Sequence, residues 1–411
     1  MTFVSSAGKT EVAEAADPAS HDENPVRRGI GSRLRGIDLG PLPILIGLAA
    51  IWVGLQALNS NYLSSRNLSN VVLQMGVVGI LALAVVLVLL VGEIDLSLGA
   101  TAGVAASVMG VGLADHGWSV PVAVVAAVLT GAAIGLLQGS IIVGLGAPSF
   151  IVTLGGLLAW QGVQLGLLGS VGERRIIDPF IRGIASRYLP DALAWAVVLT
   201  AVATYALLKI ARRRGRESEG LPVPPLMAFA AQLAAVALAA AGLVAYLQRY
   251  FGVPWLLLVL LSLTWLLTLL TRRTPFGRHM YAIGGSSEAA RRAGIPVNRT
   301  RILVFTLAST LAGLAGVVAA SRQFSVSSGT GGGTLLLEAI AAAVIGGTSL
   351  FGGRGRAFHA LLGALVIVSI SNGLDLLGEP SSVKNVATGI VLVLAVSLDA
   401  LSRRRRAAMG T

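Results

Sequence analysis

Residues 70–91 read NVVLQMGVVGILALAVVLVLLV, and they decide the fold. The run carries no charge and is long enough to cross a bilayer, which takes roughly 20 residues of helix. It also lacks the alternation of apolar and polar positions that marks a barrel strand. Inside lipid only helices and closed barrels satisfy their own backbone groups, so a membrane-crossing helix is what remains. Runs of this kind recur along the chain, in which 55% of the 411 residues are hydrophobic and 12% charged. A soluble domain carries about twice that charged share. With a mean hydropathy of +0.81, the fold class is all-α, a polytopic helical bundle integral to a membrane.

About twelve crossings are expected, with ten as the lower bound, at 41–58, 70–91, 97–114, 120–144, 148–169, 191–210, 226–248, 253–271, 302–320, 334–352, 357–377 and 385–402. The tenth is the least regular. GTGGGTLLLEAIAAAVIGGTSLFGGRGR (329–356) surrounds a short apolar centre with glycine, and a broken or re-entrant helix is the alternative there. The same region echoes an earlier one. GEIDLSLG (92–99) and GGTSLFGG (346–353) share Gly, Leu and Gly spacing, each between two apolar runs, as an internal repeat would produce. AAVLTGAAIGLLQG (126–139) and STLAGLAGVVAA (309–320) carry small residues four apart. In lipid that spacing lets helix backbones approach closely, and packing within one subunit is the simpler reading than a dimer motif.

The net charge of +12 does not indicate a nucleic-acid partner, because the cations cluster between apolar runs. With the N-terminus in the cytoplasm, cytoplasmic segments hold 23 of the 31 Lys and Arg residues. Retention of Lys and Arg on that side is the rule for short loops. Both termini are then cytoplasmic, which demands an even number of crossings. Trp118, Trp195, Trp255, Tyr188, Tyr246 and Tyr250 fall near the outer ends, where amphipathic rings favour the interface.

Little in the chain suggests catalysis. It has no cysteine, and His21, His116, His279 and His359 lack metal-ligand spacing. AGKT at 7–10 ends like a phosphate-binding loop, but Phe3 stands where the first glycine is required. No metal or cofactor is expected, and no enzyme activity.

Polar groups within the apolar runs are more informative, since they are costly there. Glu338 either anchors a neighbouring helix or lines a solute path. Glu93 and Asp95 lie at a turn between two crossings, where Asp95 is also a good N-cap for the next helix. Asp375 lies near an outer end, with Asn372 three residues before it. Gln161 and Gln164 share one helix face and serve either as a path lining or as interhelical glue. The stretch at 169–191, with Arg174 and Arg175 after Glu173, is the longest outer loop. It is either a docking surface or a solvated connector.

One polar stretch breaks the pattern. GGSSEAARRAG (284–294) offers Ser287 as an N-cap, Glu288 in a first turn and Arg291 with Arg292 in a last one. Gly294 stops the helix and Pro296 keeps it from resuming. Six residues are too few to be helical alone in water, so this helix must dock against something.

Glu288-Ala289-Ala290 followed by Gly294 resembles the EAA loop of ATP-binding-cassette importer permeases. TPFGRHMYAIGGSSEAARRAGIPVNR (274–299), GEIDLSLGA (92–100), APSFIVTLGGLLAWQG (147–162) and EAIAAAVIGGTSLFGGRGR (338–356) are similar to stretches of the ribose/xylose-type sugar permeases, in family order. The extra pair of crossings around RRRGRESEGLPVPP (212–225) resembles the longer xylose-type members. This likeness spans roughly residues 60–402.

The resemblance implies a permease subunit of the bacterial inner membrane that carries a monosaccharide, a pentose such as xylose. Its partners would be a cytoplasmic ATPase subunit, a periplasmic or lipid-anchored sugar-binding protein, a second copy of the chain and membrane lipids. Ser287, Glu288, Ala289, Ala290, Arg291 and Gly294 would couple to the ATPase. Glu93, Asp95, Gln161, Gln164, Glu338, Asn372 and Asp375 are the candidates for the path. The expected organisation is a disordered tail over 1–36, a permease domain over 37–402 with a coupling loop at 272–301, and a basic tail over 403–411. A proton-coupled secondary transporter of a small polar solute, working through Glu338 and Asp375, is the alternative.

Overall fold

The computed structural model describes residues 42–408 apart from residue 224, and for residue 395 and residues 398–408 it describes the backbone alone. The tail over 1–36, its AGKT stretch and residues 409–411 lie outside the described residues, as do the side chains of the closing arginines.

The described chain is helical almost throughout. Its elements are α1 (Leu42–Leu58), α2 (Ser65–Leu90), α3 (Leu98–Ala114), α4 (Val120–Leu145), α5 (Ser149–Leu168), β1 (Glu173–Arg175), α6 (Pro179–Ser186), α7 (Asp191–Ser218) and α8 (Leu226–Leu247). Then come α9 (Trp255–Arg273), α10 (Pro275–Gly285), α11 (Ser287–Arg292), α12 (Val297–Gln323), β2 (Ser325–Ser327), α13 (Leu335–Ile345), α14 (Ala357–Leu376) and α15 (Ser381–Ala408). Eight of these helices are long and apolar enough to cross a membrane. Four shorter apolar ones, α1, α3, α13 and Ser381–Leu394 of α15, complete the set of expected crossings.

The run 70–91 forms most of α2, and α2 is the hub. Ile80, Leu81, Leu83, Leu87 and Leu90 are fully buried on successive faces, as befits a helix that is apolar all round. α12, α13, α14 and α9 pack around it. α7 and α8 lie at the periphery, with few buried residues. α1 is tied to α14 at Ser369, whose hydroxyl accepts from Trp52 Nε1 at 2.9 Å and whose carbonyl accepts from the Tyr62 hydroxyl at 3.1 Å.

Both small-residue runs serve packing inside this subunit. Gly131 and Gly135 on α4 face the carbonyls of Ser309 and Phe305 on α12, and a Cβ at either would collide with that backbone. Gly139 continues the row, where a Cβ would stand 3.0 Å from Ile302 Cα. Gly313 meets the Ala127 carbonyl in return, and Gly316 that of Ala102 on α3. With lipid as apolar as the side chains, close van der Waals contact is what holds such helices together.

The tenth crossing is not a helix over 334–352. α13 has 11 residues and spans roughly 16 Å at 1.5 Å per residue, about half a hydrocarbon core. The chain nevertheless traverses the bundle there. α12 and α14 both begin beside the C-terminal end of α2, through Arg301–Glu93 and Gly353–Leu90 contacts. Both end beside one cleft, at Arg322 and Asp375. The segment joining them must therefore return along the bundle. It does so as an irregular strip, 324–334, that continues into the half-helix α13.

The irregular half finds partners for its polar backbone. Gln164 Nε2 donates to the carbonyls of Ser327 and Thr330 at 2.9 Å each. Gly331, at φ +78, presses its backbone against Gly99 and Gly103 of α3, where no Cβ would fit.

Candidate functional site

Two features mark opposite ends of α12, whose 27 residues separate them by about 40 Å. At its start lies the α10–α11 loop. The N-cap of α11 is Ser286, not Ser287: Ser286 has extended backbone (φ −162), and its hydroxyl accepts the Ala289 N–H at 3.2 Å. Serine one position earlier leaves Ser287 free to open the helix. Gly294, at φ +78, closes it with its N–H on the Arg291 carbonyl, while Ile295 N–H reaches the Ala290 carbonyl, both at 3.0 Å. This pair of bonds is a Schellman motif, which suits glycine in the left-handed region. Pro296 does not hold off a further helix for long, since α12 starts at Val297 with Pro296 as its N-cap. The Glu288–Arg292 pair at 3.2 Å is fully outward and contributes little.

Ala290 is buried against the bundle, whereas Glu288, Ala289 and Arg291 are exposed. The short helix is thus anchored by one alanine and shows its other face outward.

Behind this loop three turns meet through glycine. Gly284 of α10 lies against the Leu90 carbonyl and the Gly353 N–H, while a Cβ on Gly352 would stand 2.9 Å from Gly92 Cα and from Gly284 Cα. Gly353 N–H also bonds the Leu90 carbonyl at 3.0 Å. Gly92, Gly352 and Gly353 all have positive φ. Glu93 adds a charge contact, 2.9 Å from Arg301 on α12, that is electrostatic rather than an aligned hydrogen bond. The end of α10 is therefore in backbone contact with GGTSLFGG, which in turn touches Gly92 at the start of GEIDLSLG.

Those two stretches also share local geometry. Asp95 Oδ1 accepts the Ser97 N–H at 2.8 Å, and Ser349 Oγ accepts the Phe351 N–H at 3.3 Å. These are equivalent turns at matched positions of the repeat. Asp95 is consequently not the N-cap of α3. Ser97 holds that position, without a side-chain cap bond. The first stretch is bolted down further by Ser149 Oγ and Thr153 Oγ1, which accept the N–H groups of Ile94 and Leu96 at 3.2 and 3.1 Å. The Ser97 hydroxyl reaches Asp95 Oδ1 at 2.6 Å.

At the other end of α12 a cleft of about 340 Å³ opens between α2, α12, α13 and α14, at the small end of the range for small-molecule sites. Its polar lining includes Gln74, Arg322, Gln323, Thr334, Glu338 and Asp375. Glu338, one turn into α13, accepts the Thr334 hydroxyl at 3.1 Å. Asp375 pairs with Lys384 at the start of α15.

Of the expected path residues, the cleft gathers Glu338 and Asp375. Asn372 sits just below, where its Oδ1 accepts from Asn67 Nδ2 at 2.8 Å and ties α14 to α2. Gln161 and Gln164 do not share an environment. Gln161 is exposed on the outer side of α5, and Gln164 is buried and holds the irregular strip. Glu93 and Asp95 belong to the glycine junction instead. Arg322 and Gln74 are the additions that only the structure shows. Arg322 stands at the end of an apolar run, where a loop cation is the plain reading, and Gln74 lies in the most hydrophobic run of the chain.

The stretch 169–191 is no simple connector. β1 pairs antiparallel with β2, Arg174 Nε contacts both Asp115 carboxylate oxygens at 2.9 Å, and α6 buries Ile181 and Ala185. Ser321 of α12 grips α6, donating to the Ile181 carbonyl at 2.5 Å and accepting from Ala185 N–H at 2.9 Å.

The family model for the branched-chain amino acid transport system / permease component matches residues 67–396. A xylose transport system permease protein of Haemophilus influenzae is 34% identical over 374 residues, which is 91% of this chain and 99% of that protein. An autoinducer 2 import system permease protein of an Enterobacter species is 34% identical over 371 residues, 89% of this chain and 90% of that protein. A ribose import permease protein of Escherichia coli is 32% identical over 359 residues, 86% and 92%. No solved structure matches the chain.

Proposed function

We infer the function of this chain from its family: it belongs to the branched-chain amino acid transport system / permease component family, among permeases of the xylose and ribose type. It is a multi-pass membrane permease subunit of an ATP-binding-cassette sugar importer. The substrate is a monosaccharide, and a pentose such as xylose is favoured by the likeness to the xylose permease, which covers 91% of this chain and 99% of that protein. An external binding protein delivers the sugar to the cleft around Glu338 and Asp375. A cytoplasmic ATPase subunit seats on the outward face of α11, through Glu288, Ala289 and Arg291.

The observation that carries this reading is the pairing of a capped, outward-facing helix at one end of α12 with a polar cleft at the other. ATP-driven closure of the motor moves α11, and α10 passes that movement through the glycine junction to α3, α13 and α14. The cleft then changes the side to which it opens. The organisation that fits is a permease domain over 37–402, its coupling loop at 272–301 facing the cytoplasm with both termini, and a second copy completing the path.

Glu288→Lys and Gly294→Pro should each abolish sugar uptake while the protein still inserts and is recovered from the membrane. The first reverses a charge on the docking face, and the second forbids the φ of +78 that ends α11. Uptake at the wild-type rate by both variants would sink the coupling assignment. Uptake by proteoliposomes containing this chain alone under a proton gradient would instead support the proton-driven alternative.

A further inference from the structure

The cleft contains a cation that the fold does not use. Arg322, in the last turn of α12, is exposed to the cleft and has no hydrogen-bond or ion-pair partner among the described residues. Its guanidinium lies in the electrostatic field of Asp375 and Glu338. Neither acid binds it, for Asp375 is engaged by Lys384 and Glu338 by Thr334.

The backbone beneath Arg322 is held in place. Phe324, two residues on, is the one non-glycine residue with positive φ among the described residues, at φ 53. Such a conformation persists where the surroundings over-determine it. Here β2 begins immediately after it and pairs with β1, while Gln323 Oε1 accepts the Thr330 hydroxyl at 3.3 Å. Arg182 of α6 covers the Phe324 ring at 4.4 Å. A fork of donors on a rigid mount thus lines the same cleft as the Glu338 and Asp375 carboxylates.

We propose that Arg322 is the substrate-contacting residue of this cleft and that the site takes an uncharged polyhydroxylated solute, held between the Arg322 guanidinium and the Glu338 carboxylate. Each sugar hydroxyl both donates and accepts. The planar guanidinium offers parallel donors to two adjacent hydroxyl oxygens, and the carboxylate accepts the hydroxyl hydrogens. Arg322 and Lys384 balance Glu338 and Asp375 in formal charge, so an ionic solute would leave one charge uncompensated in a partly dry site. A zwitterionic amino acid is the competing occupant, since its carboxylate and ammonium would also match Arg322 and Glu338. The inference rests on the sugar-importer reading above and adds the residue that selects within it.

The test is ATP-driven uptake of labelled xylose, ribose and leucine by proteoliposomes holding the permease with its ATPase and binding protein. Wild type, Arg322→Gln, Arg322→Lys and Glu338→Gln would be compared, each checked for assembly by copurification of the ATPase. Arg322→Gln is expected to lower pentose uptake at least tenfold in an assembled complex. Arg322→Lys should fall between it and wild type, because the charge stays and the fork is lost, and Glu338→Gln should also be impaired. Pentose uptake within twofold of wild type in Arg322→Gln would overturn the assignment of Arg322 alone. Failure of that variant to assemble, with Arg322→Lys fully active, would also overturn it by showing a structural role for the charge. Leucine uptake in place of pentose by the wild type would overturn both the substrate class and the sugar-importer reading.

Discussion

Gln164 shows how a single side chain can hold a stretch of irregular backbone in lipid. Its amide supplies both donors to the carbonyls of Ser327 and Thr330, so Gln164→Leu strands two buried acceptors. Leaving a buried acceptor unmade costs about 1–3 kcal/mol. The expected outcome is a lower melting temperature in detergent together with weakened uptake, and an unchanged melting temperature would refute the anchoring role. The residue was legible in the sequence as a polar group in an apolar run, with path lining and interhelical glue both open. Its partners stand 163 and 166 positions away, and no local pattern reports a contact at that separation. Arg322 was hidden for a different reason. An arginine at the end of an apolar run looks the same whether its guanidinium meets solvent or folds back over a cleft.

At the scale of elements, the sequence reads best where one helix is also one apolar run. The runs over 70–91 and 120–144 became α2 and α4 with ends shifted by a few residues. It reads worst where a crossing is assembled from unlike halves, as at 324–345. There hydropathy marks a crossing over 334–352, while the helix covers only Leu335–Ile345 and the irregular half lies before it. The small-residue rows were legible as close-packing signals, though not with α12 as the partner.

That partnership makes a prediction. Gly135→Leu drives a side chain into the Phe305 carbonyl, and overpacking of this kind costs typically 1–3 kcal/mol. Thermal unfolding in detergent should show the loss, whereas Gly155→Leu on α5, which meets nothing within 4 Å, should be near neutral. Equal melting temperatures for the two would contradict the α4–α12 contact. Gly284→Val tests the junction in the same way. Its side chain has no room between Leu90 and Gly353, so uptake should fall in the assembled importer even where the ATPase still copurifies. Normal uptake would exclude the junction as the route of coupling.

On the scale of the whole molecule, the bundle has a dense centre and a loose rim. α2 is wrapped on all sides, while α7 and α8 lie almost wholly outward. The proposed reading has a second copy complete the cleft bounded by one copy's α12, α13 and α14, and a pair of identical subunits closes most simply by a twofold axis. Native mass spectrometry of the complex should find two copies of the 42.0 kDa chain. A single copy bound to the ATPase would refute the paired path.

The amino-acid sequence by itself determined the class of the protein, most of the succession of its helices, the glycine stop of the polar helix α11 and the motifs that disclose its family. Each of these follows from short-range physics, in which hydropathy, propensity and cap chemistry act over a few residues. Only the tertiary structure decided that GEIDLSLG and GGTSLFGG touch through Gly92, Gly284 and Gly352, that Glu338 and Asp375 share a cleft with Arg322, and that Asn372 and Gln164 hold the frame. Those outcomes depend on which distant backbones can come close enough to leave no room for a Cβ, and that is a property of the packed bundle as a whole.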